Sequence, residues 1–291
     1  MFVIIGATGQ VGRNIAQCLL EKRQPVRIIV RNPDKAKKLS ELGAMIHVGD
    51  IDSPSDVQNG FKGADVVFLL DPPAYHEPNV EEITRRRLDT LTAAIVQNGV
   101  KKIVVLTSGG IHRHDIDIGN LRLAQIWEDG LRDLNIPVTS LRPTWFMENW
   151  IPAIGTAKKS GRFPSMVRHI DRPMPQIAVR DIAKIATETM LSTWTGFQVL
   201  ELEGPQRYSV TEVANAVSKR LHKDVHPCVI TKDALPSVLL SMNTHPNSID
   251  GWVAMLDFTN GESSFFEHDD VTVKGTTTLE EFLSSVMWQF E

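Results

Sequence analysis

The residues whose types and spacing carry the most chemistry open the chain. Phe2-Val3-Ile4-Ile5 is a short apolar run, Gly6-Ala7-Thr8-Gly9-Gln10-Val11-Gly12 follows at once, and residues 14–20 read as a helix. A strand, a glycine turn and a helix in this order suit the pyrophosphate of a dinucleotide. Gly6 permits the sharp turn out of the strand, Gly9 lets backbone approach the phosphates, and Gly12 lets the helix pack close to the sheet. The free N–H groups of the first helical turn, with Thr8, Gln10 and Val11 around them, then face an anion along the helix dipole.

A second group sits at the end of the next apolar run, where the chain reads Val30-Arg31-Asn32-Pro33-Asp34-Lys35. An acidic residue there would accept hydrogen bonds from an adenosine ribose and favour NAD. Arg31 instead matches a 2′-phosphate in bidentate fashion, and Lys35 adds a second positive charge on the following turn. The pattern predicts NADP(H) over NAD(H), with Asp34 turned away as a helix cap. Asp50, with Ile51 beside it, follows the third apolar run and is placed to meet the adenine edge. The bland alternatives are solvated surface charges and an ordinary turn.

These residues need a scaffold. Runs at 26–30, 45–48, 64–70, 102–107 and 137–143 are β-rich, and helical patterns at 33–42, 53–61, 80–98 and 120–134 separate them. Strands apolar on consecutive positions are buried on both faces, which implies a parallel sheet covered by helices. Repeated β-α units predict an α/β fold with a doubly wound parallel sheet. Beyond Trp150 the rhythm changes. Prolines and glycines cluster between 152 and 175, a helix opens at Asp181, and 197–202 is a further strand. Capping boxes at Ser209–Glu212 and Thr278–Glu281 announce two more helices. Residues 233–270 show no regular pattern. The expected division is 1–150 for the nucleotide-binding domain and 151–291 for a smaller α+β substrate-binding lobe, the chain returning to the first domain around 176–202.

Composition excludes several classes. The 291 residues carry a formal charge of −4 and two cysteines. No basic surplus exists to neutralise a nucleic-acid backbone, and Cys18 and Cys228 build no disulfide framework, in keeping with a reducing, cytoplasmic setting. No apolar run approaches a membrane span or a signal peptide, and no His/Cys/Asp/Glu spacing suggests a metal.

Three segments together resemble the NmrA-like branch of the atypical short-chain dehydrogenase/reductase superfamily: Gly6 to Gly12, Val30-Arg31-Asn32-Pro33, and Leu141-Arg142-Pro143-Thr144-Trp145-Phe146-Met147-Glu148-Asn149. Val179-Arg180-Asp181-Ile182-Ala183 and Gly204-Pro205 are similar to later segments of that family. The resemblance covers about the first 220 residues. It implies a Rossmann domain with a small C-terminal lobe, and a family that includes NADPH-dependent quinone reductases and redox-sensing regulators. It also implies that Leu70, Asp71, Pro72 and Pro73 border the nucleotide. Thr107, Ser108, Pro143, Thr144 and Phe146 then border the nicotinamide.

One departure narrows the chemistry. Ordinary members of the superfamily pair Tyr-x-x-x-Lys, the tyrosine giving a proton to the carbonyl oxygen. Here Tyr75 and Tyr208 are followed four residues later by Asn79 and Glu212, and residues 120–128 hold neither tyrosine nor lysine. Reducing a simple ketone leaves a strongly basic alkoxide and needs an acid. Reducing a quinone, enone or imine asks much less of the protein. Candidate replacements are Ser108, which is otherwise a turn serine, His112, otherwise a solvated loop residue, and Tyr75, otherwise a surface aromatic. The expectation is hydride transfer from NADPH to such a small-molecule acceptor. An NADP(H)-sensing regulator that binds a partner protein, and a non-redox isomerase or cyclase, remain open. A homodimer through Val80–Asn98 and 120–134 is a further expectation from family habit.

Overall fold

A computed structural model describes residues 1–261, 265–268 and 272–290, the side chains of 288 and 289 excepted. The strands are β1 (Phe2–Ile4), β2 (Val26–Val30), β3 (Met45–Val48), β4 (Val66–Leu69), β5 (Lys102–Leu106), β6 (Val138–Pro143), β7 (Trp145–Phe146), β8 (Arg162–Ser165), β9 (Met174–Ile177), β10 (Phe197–Glu203), β11 (Arg207–Tyr208), β12 (His226–Val229) and β13 (Thr272–Lys274). The helices are α1 (Gln10–Glu21), α2 (Lys37–Glu41), α3 (Pro54–Gly60), α4 (Val80–Asn98), α5 (Arg122–Arg132), α6 (Ile151–Ser160), α7 (Val179–Leu191), α8 (Val210–Leu221), α9 (Leu235–Ser241), α10 (Ile249–Asn260) and α11 (Leu279–Val286).

Eight strands form one sheet in the order β13-β10-β6-β5-β4-β1-β2-β3, and every pairing in it is parallel. Successive side chains of a strand point to opposite faces. Ile4, Ile28, Phe68 and Val104 therefore meet one core with Ile15 and Leu19 of α1 and Ile182 and Ala186 of α7. Val3, Ile5, Val67 and Val105 meet the other, with Leu91 and Ile95 of α4 and Trp127 of α5. This two-sided burial is why the strands read as unbroken apolar runs. The strand order reverses between β1 and β4, which opens a crevice at their carboxyl ends.

A third core gathers Trp150, Phe163, Val213, Phe282 and their neighbours from the later half of the chain. The sheet β11-β9-β7 and the pair β12-β8 flank it. Both expected capping boxes form, at Ser209 with Glu212 and at Thr278 with Glu281. Two elements depart from the sequence reading. The 120–134 helix starts with a 3₁₀ turn at Gly119–Leu121 and is helical only from Arg122. The segment read as irregular contains α9 and α10. Ile249 to Asn260 is apolar almost all round, so no 3.6-residue stripe marks it. Among the described residues no helix is long and apolar enough to cross a membrane.

Candidate functional site

The glycine turn is built as a cradle. Gly6 adopts φ +71°, and a Cβ there would lie 2.9 Å from Leu70 Cδ2. Gly12 presses against the turn itself: a Cβ on it would lie 2.6 Å from the Gly6 carbonyl oxygen. The Gly9 amide donates to that same oxygen at 2.9 Å. Gly9 is the N-cap of α1 and offers no side chain to the first turn, so its N–H groups stay available to an anion.

In front of the turn lies a cleft of about 450 Å³. Of the residues proposed from the sequence, Gly6, Thr8, Gly9, Gln10, Val11, Arg31, Asp50, Ile51, Leu70, Pro72 and Phe146 line it. Arg31 is exposed on its wall. Lys35 sits in the exposed 3₁₀ turn Pro33–Ala36 and is not part of the lining. Asn32, not Asp34, caps that turn, its Oδ1 accepting from the Asp34 amide at 2.9 Å. Gly12 is buried behind the turn.

The remaining sequence candidates lie outside the cleft lining. Asp71 turns inward, accepting from Thr84 Oγ1 at 2.6 Å and Arg87 Nη1 at 3.1 Å, and burial pushes its carboxyl up. The Thr107 hydroxyl meets Ser140 Oγ at 2.8 Å, and Ser108 Oγ donates to the Gly109 carbonyl at 3.2 Å. Pro143 ends β6 in the interior. Thr144 is buried with its hydroxyl donating to the Leu202 carbonyl at 3.1 Å. His112 carries a buried Nδ1 with no hydrogen-bond partner, and burial holds its imidazole below the ordinary histidine value against the pull of Glu267. Tyr75 packs edge-on to Trp252, 5.1 Å between ring centroids. Burial there, with Asp71 nearby, pushes its phenol up to about 12.

The helix that would carry a Tyr-Lys pair does something else. Glu128 of α5 is buried and accepts from Ser140 Oγ at 2.6 Å and Arg142 Nε at 2.9 Å. Arg142 also donates to Glu267 Oε2 at 2.7 Å, and the carboxylate of buried Glu201 accepts the Glu267 amide at 2.9 Å. Tyr208 is committed elsewhere, its hydroxyl accepting from the Leu279 amide at 3.1 Å.

Sequence reasoning missed Asp52 and Arg87, both in the lining. The signal for Arg87 was present. Ile83, Thr84, Leu88 and Leu91 mark the buried stripe of α4, and the helical period places Arg87 on that stripe between them while Arg85 and Arg86 face outward. Phe146 and Asn149 share the cleft, whereas Met147 and Trp150 serve the third core.

The NmrA-like family pattern matches residues 1–283. The chain belongs to the NmrA-like family. Among curated members this NmrA-like chain is similar to the NAD(P)H azoreductase of Xenophilus azovorans, 26% identical over 246 residues, covering 83% of this chain and 81% of that protein. It is 24% identical to quinone oxidoreductase 2 of Escherichia coli over 290 residues, 98% of each chain. The structure of the Escherichia coli NADPH-dependent quinone oxidoreductase complexed with NADPH superposes with TM-score 0.79 at 23% identity, covering 99% of this chain and 100% of that one. Citrobacter sp. triphenylmethane reductase complexed with NADP(H) gives 0.80 at 20% identity, with 98% and 99% covered. At these identities the structures speak for the shared fold.

Proposed function

We propose that this NmrA-like chain is an NADPH-dependent reductase of small conjugated acceptors such as quinones, enones, imines or azo compounds. The observation that carries it is the open cleft at the β1–β4 switch point. Its floor is the glycine turn with uncapped α1 amides, and its wall bears the Arg31 guanidinium, which forms no ion pair among the described residues. A diphosphate fits the floor and a ribose 2′-phosphate fits Arg31. Phe146 and Asn149 stand at the far end, toward the carboxyl ends of β4 and β6, where a nicotinamide ring would rest on apolar and amide surface.

The bound coenzyme supplies the hydride. The chain's part is to orient it and to exclude water, since α5 holds a committed Glu128 instead of a proton-donating tyrosine. A conjugated acceptor, whose product anion is delocalised, fits that economy. Burial keeps Tyr75, on the loop after β4, a neutral phenol well above physiological pH and so a weak acid, which fits an acceptor that asks little of a proton donor. The azo and quinone acceptors named for two relatives belong to the same chemical class.

The test mixes the protein with NADPH and a panel of menadione, a cyclic enone and an azo dye, and follows the absorbance of the reduced nicotinamide. Oxidation with stoichiometric acceptor reduction is expected. Tight NADPH binding with no turnover on any acceptor would mean a sensor and sink the proposal.

A further inference from the structure

Helix α4 and the loops after β3 and β4 meet at the end of the cleft opposite Phe146 and Asn149, and one side chain holds them. Arg87 of α4 is nearly buried and lines the cleft. Its Nε and Nη2 grip both oxygens of Asp52, at 2.9 and 3.0 Å. Its Nη1 donates to Asp71 Oδ1 at 3.1 Å and to the Pro72 carbonyl at 2.7 Å. Asp52 follows β3 and Pro72 follows β4, so one guanidinium sets the spacing of two loops that both line the cleft.

We infer that Arg87 positions the slot for the purine of the coenzyme and reads that purine with its remaining N–H, an inference that rests on the NADPH reading above. Topology says which half of the ligand is involved. With the diphosphate on the α1 amides, one end of the cleft runs over β2 and β3, past Arg31 to Ile51 and Asp52. The other runs to Phe146 after β6. Arg87 is bonded to the first end. Stoichiometry says what it offers. A guanidinium has five N–H donors in a fixed fork, and four are committed to Asp52, Asp71 and Pro72, leaving one on Nη2. A purine edge presents ring-nitrogen acceptors to such a donor. Lysine, a point charge on a flexible stem, could not span Asp52 and Pro72 together.

Neighbouring charges fit this division of labour. Arg86, more than half exposed, reaches Asp52 only at 3.4 Å, so the tight bidentate grip belongs to Arg87. Thr84 holds the second oxygen of Asp71 at 2.6 Å, which leaves that carboxylate no freedom to swing into the cleft. Arg31, Asp52, Pro72, Pro73 and Arg87 also border a second recess of about 370 Å³. Arg87 thus stands in the partition that closes the adenosine end.

The test measures calorimetric affinity for NADPH, and affinity for reduced nicotinamide mononucleotide by competition, in the wild type, Arg87→Met and Arg87→Lys. The mononucleotide lacks the adenosine half. NADPH affinity should fall about tenfold or more in Arg87→Met, while mononucleotide affinity moves less than about twofold. Arg87→Lys, which keeps the charge and the stem, should fold if Arg87→Met does not, and should show the same selective loss. Equal losses for both ligands would make Arg87 a support of the fold alone and overturn the inference. A wild type that binds no NADPH would instead sink the reading of the cleft, a distinct result.

Discussion

The two ends of the site are built in opposite ways. The nucleotide end is made mostly of backbone and of neighbours in sequence: residues 6–12 form the floor, Arg31 the wall, and 50–52 the edge. The proposed acceptor end is closed by backbone and side-chain hydrogen bonds from far along the chain. The His245 amide donates to the Tyr75 carbonyl at 2.7 Å, and Asn247 Nδ2 to the Pro78 carbonyl at 2.9 Å. Asn120 Nδ2 donates to the Ser248 carbonyl at 3.3 Å, and the Gly110 amide to the Phe265 carbonyl at 2.8 Å. Residues 245–248 and Phe265 thus roof the loops after β4 and β5. The free polar groups of the nucleotide end, the α1 amides and the Arg31 guanidinium, lie at an open cleft, whereas His112 Nδ1, Trp145 Nε1 and Trp252 Nε1 are buried without partners. Buried polar atoms without partners cost stability. On the proposed reading, recognition of the coenzyme is local and the features that distinguish an acceptor are long-range.

The sharpest way to break this contrast is at Gly12. A Cβ there meets the carbonyl carbon and oxygen of Gly6 at 2.7 and 2.6 Å, and backbone cannot step aside as a side-chain tip can. Gly12→Ala should cost about 2–3 kcal/mol of stability and about a hundredfold in NADPH affinity. Urea unfolding and calorimetry read both. An unchanged affinity would show that the turn is not the phosphate floor.

Arg31→Ala comes next. A charge-assisted guanidinium–phosphate bond contributes about 1.5–3 kcal/mol. NADPH affinity should fall about tenfold to a hundredfold while NADH affinity stays within about twofold. Equal losses for the two coenzymes would remove Arg31 from 2′-phosphate recognition.

The same contrast explains what could be read from the chain alone. The parallel sheet was legible because β1, β4 and β5 are buried on both faces, and the cradle because Gly6, Gly9 and Gly12 lie within seven residues. The contacts that close the acceptor end were not. Tyr75 meets Trp252 across 177 positions, the difference between their numbers, and no local pattern encodes that contact. α10 escaped notice because its surface is apolar on nearly every side. Asp71 and Thr107 stand beside the coenzyme segments in sequence, but hydrogen bonds to Thr84, Arg87 and Ser140 turn their side chains inward.

At the acceptor end, Trp252→Phe keeps an aromatic ring against Tyr75 and removes an unpaired buried N–H. Stability should hold or rise by up to about 1 kcal/mol, NADPH affinity should stay within about twofold, and KM for menadione should shift by about threefold or more. A loss of coenzyme affinity as large as that of Arg31→Ala would erase the distinction between the two ends.

The smallest effect is a titration. Tyr75 has its phenol pushed up to about 12 from an ordinary value of 10.0. The folded chain therefore keeps a proton that the unfolded chain loses. That contribution is complete below the unfolded value and is lost as pH rises through the folded one. Between about pH 9 and about pH 11 the wild type should lose about 1 kcal/mol more stability than Tyr75→Phe. Every other ionisable group is common to both proteins, so the difference isolates one phenol. Parallel stability curves for the two proteins would mean that solvent reaches Tyr75, and that the roof over the acceptor end is looser than its contacts imply.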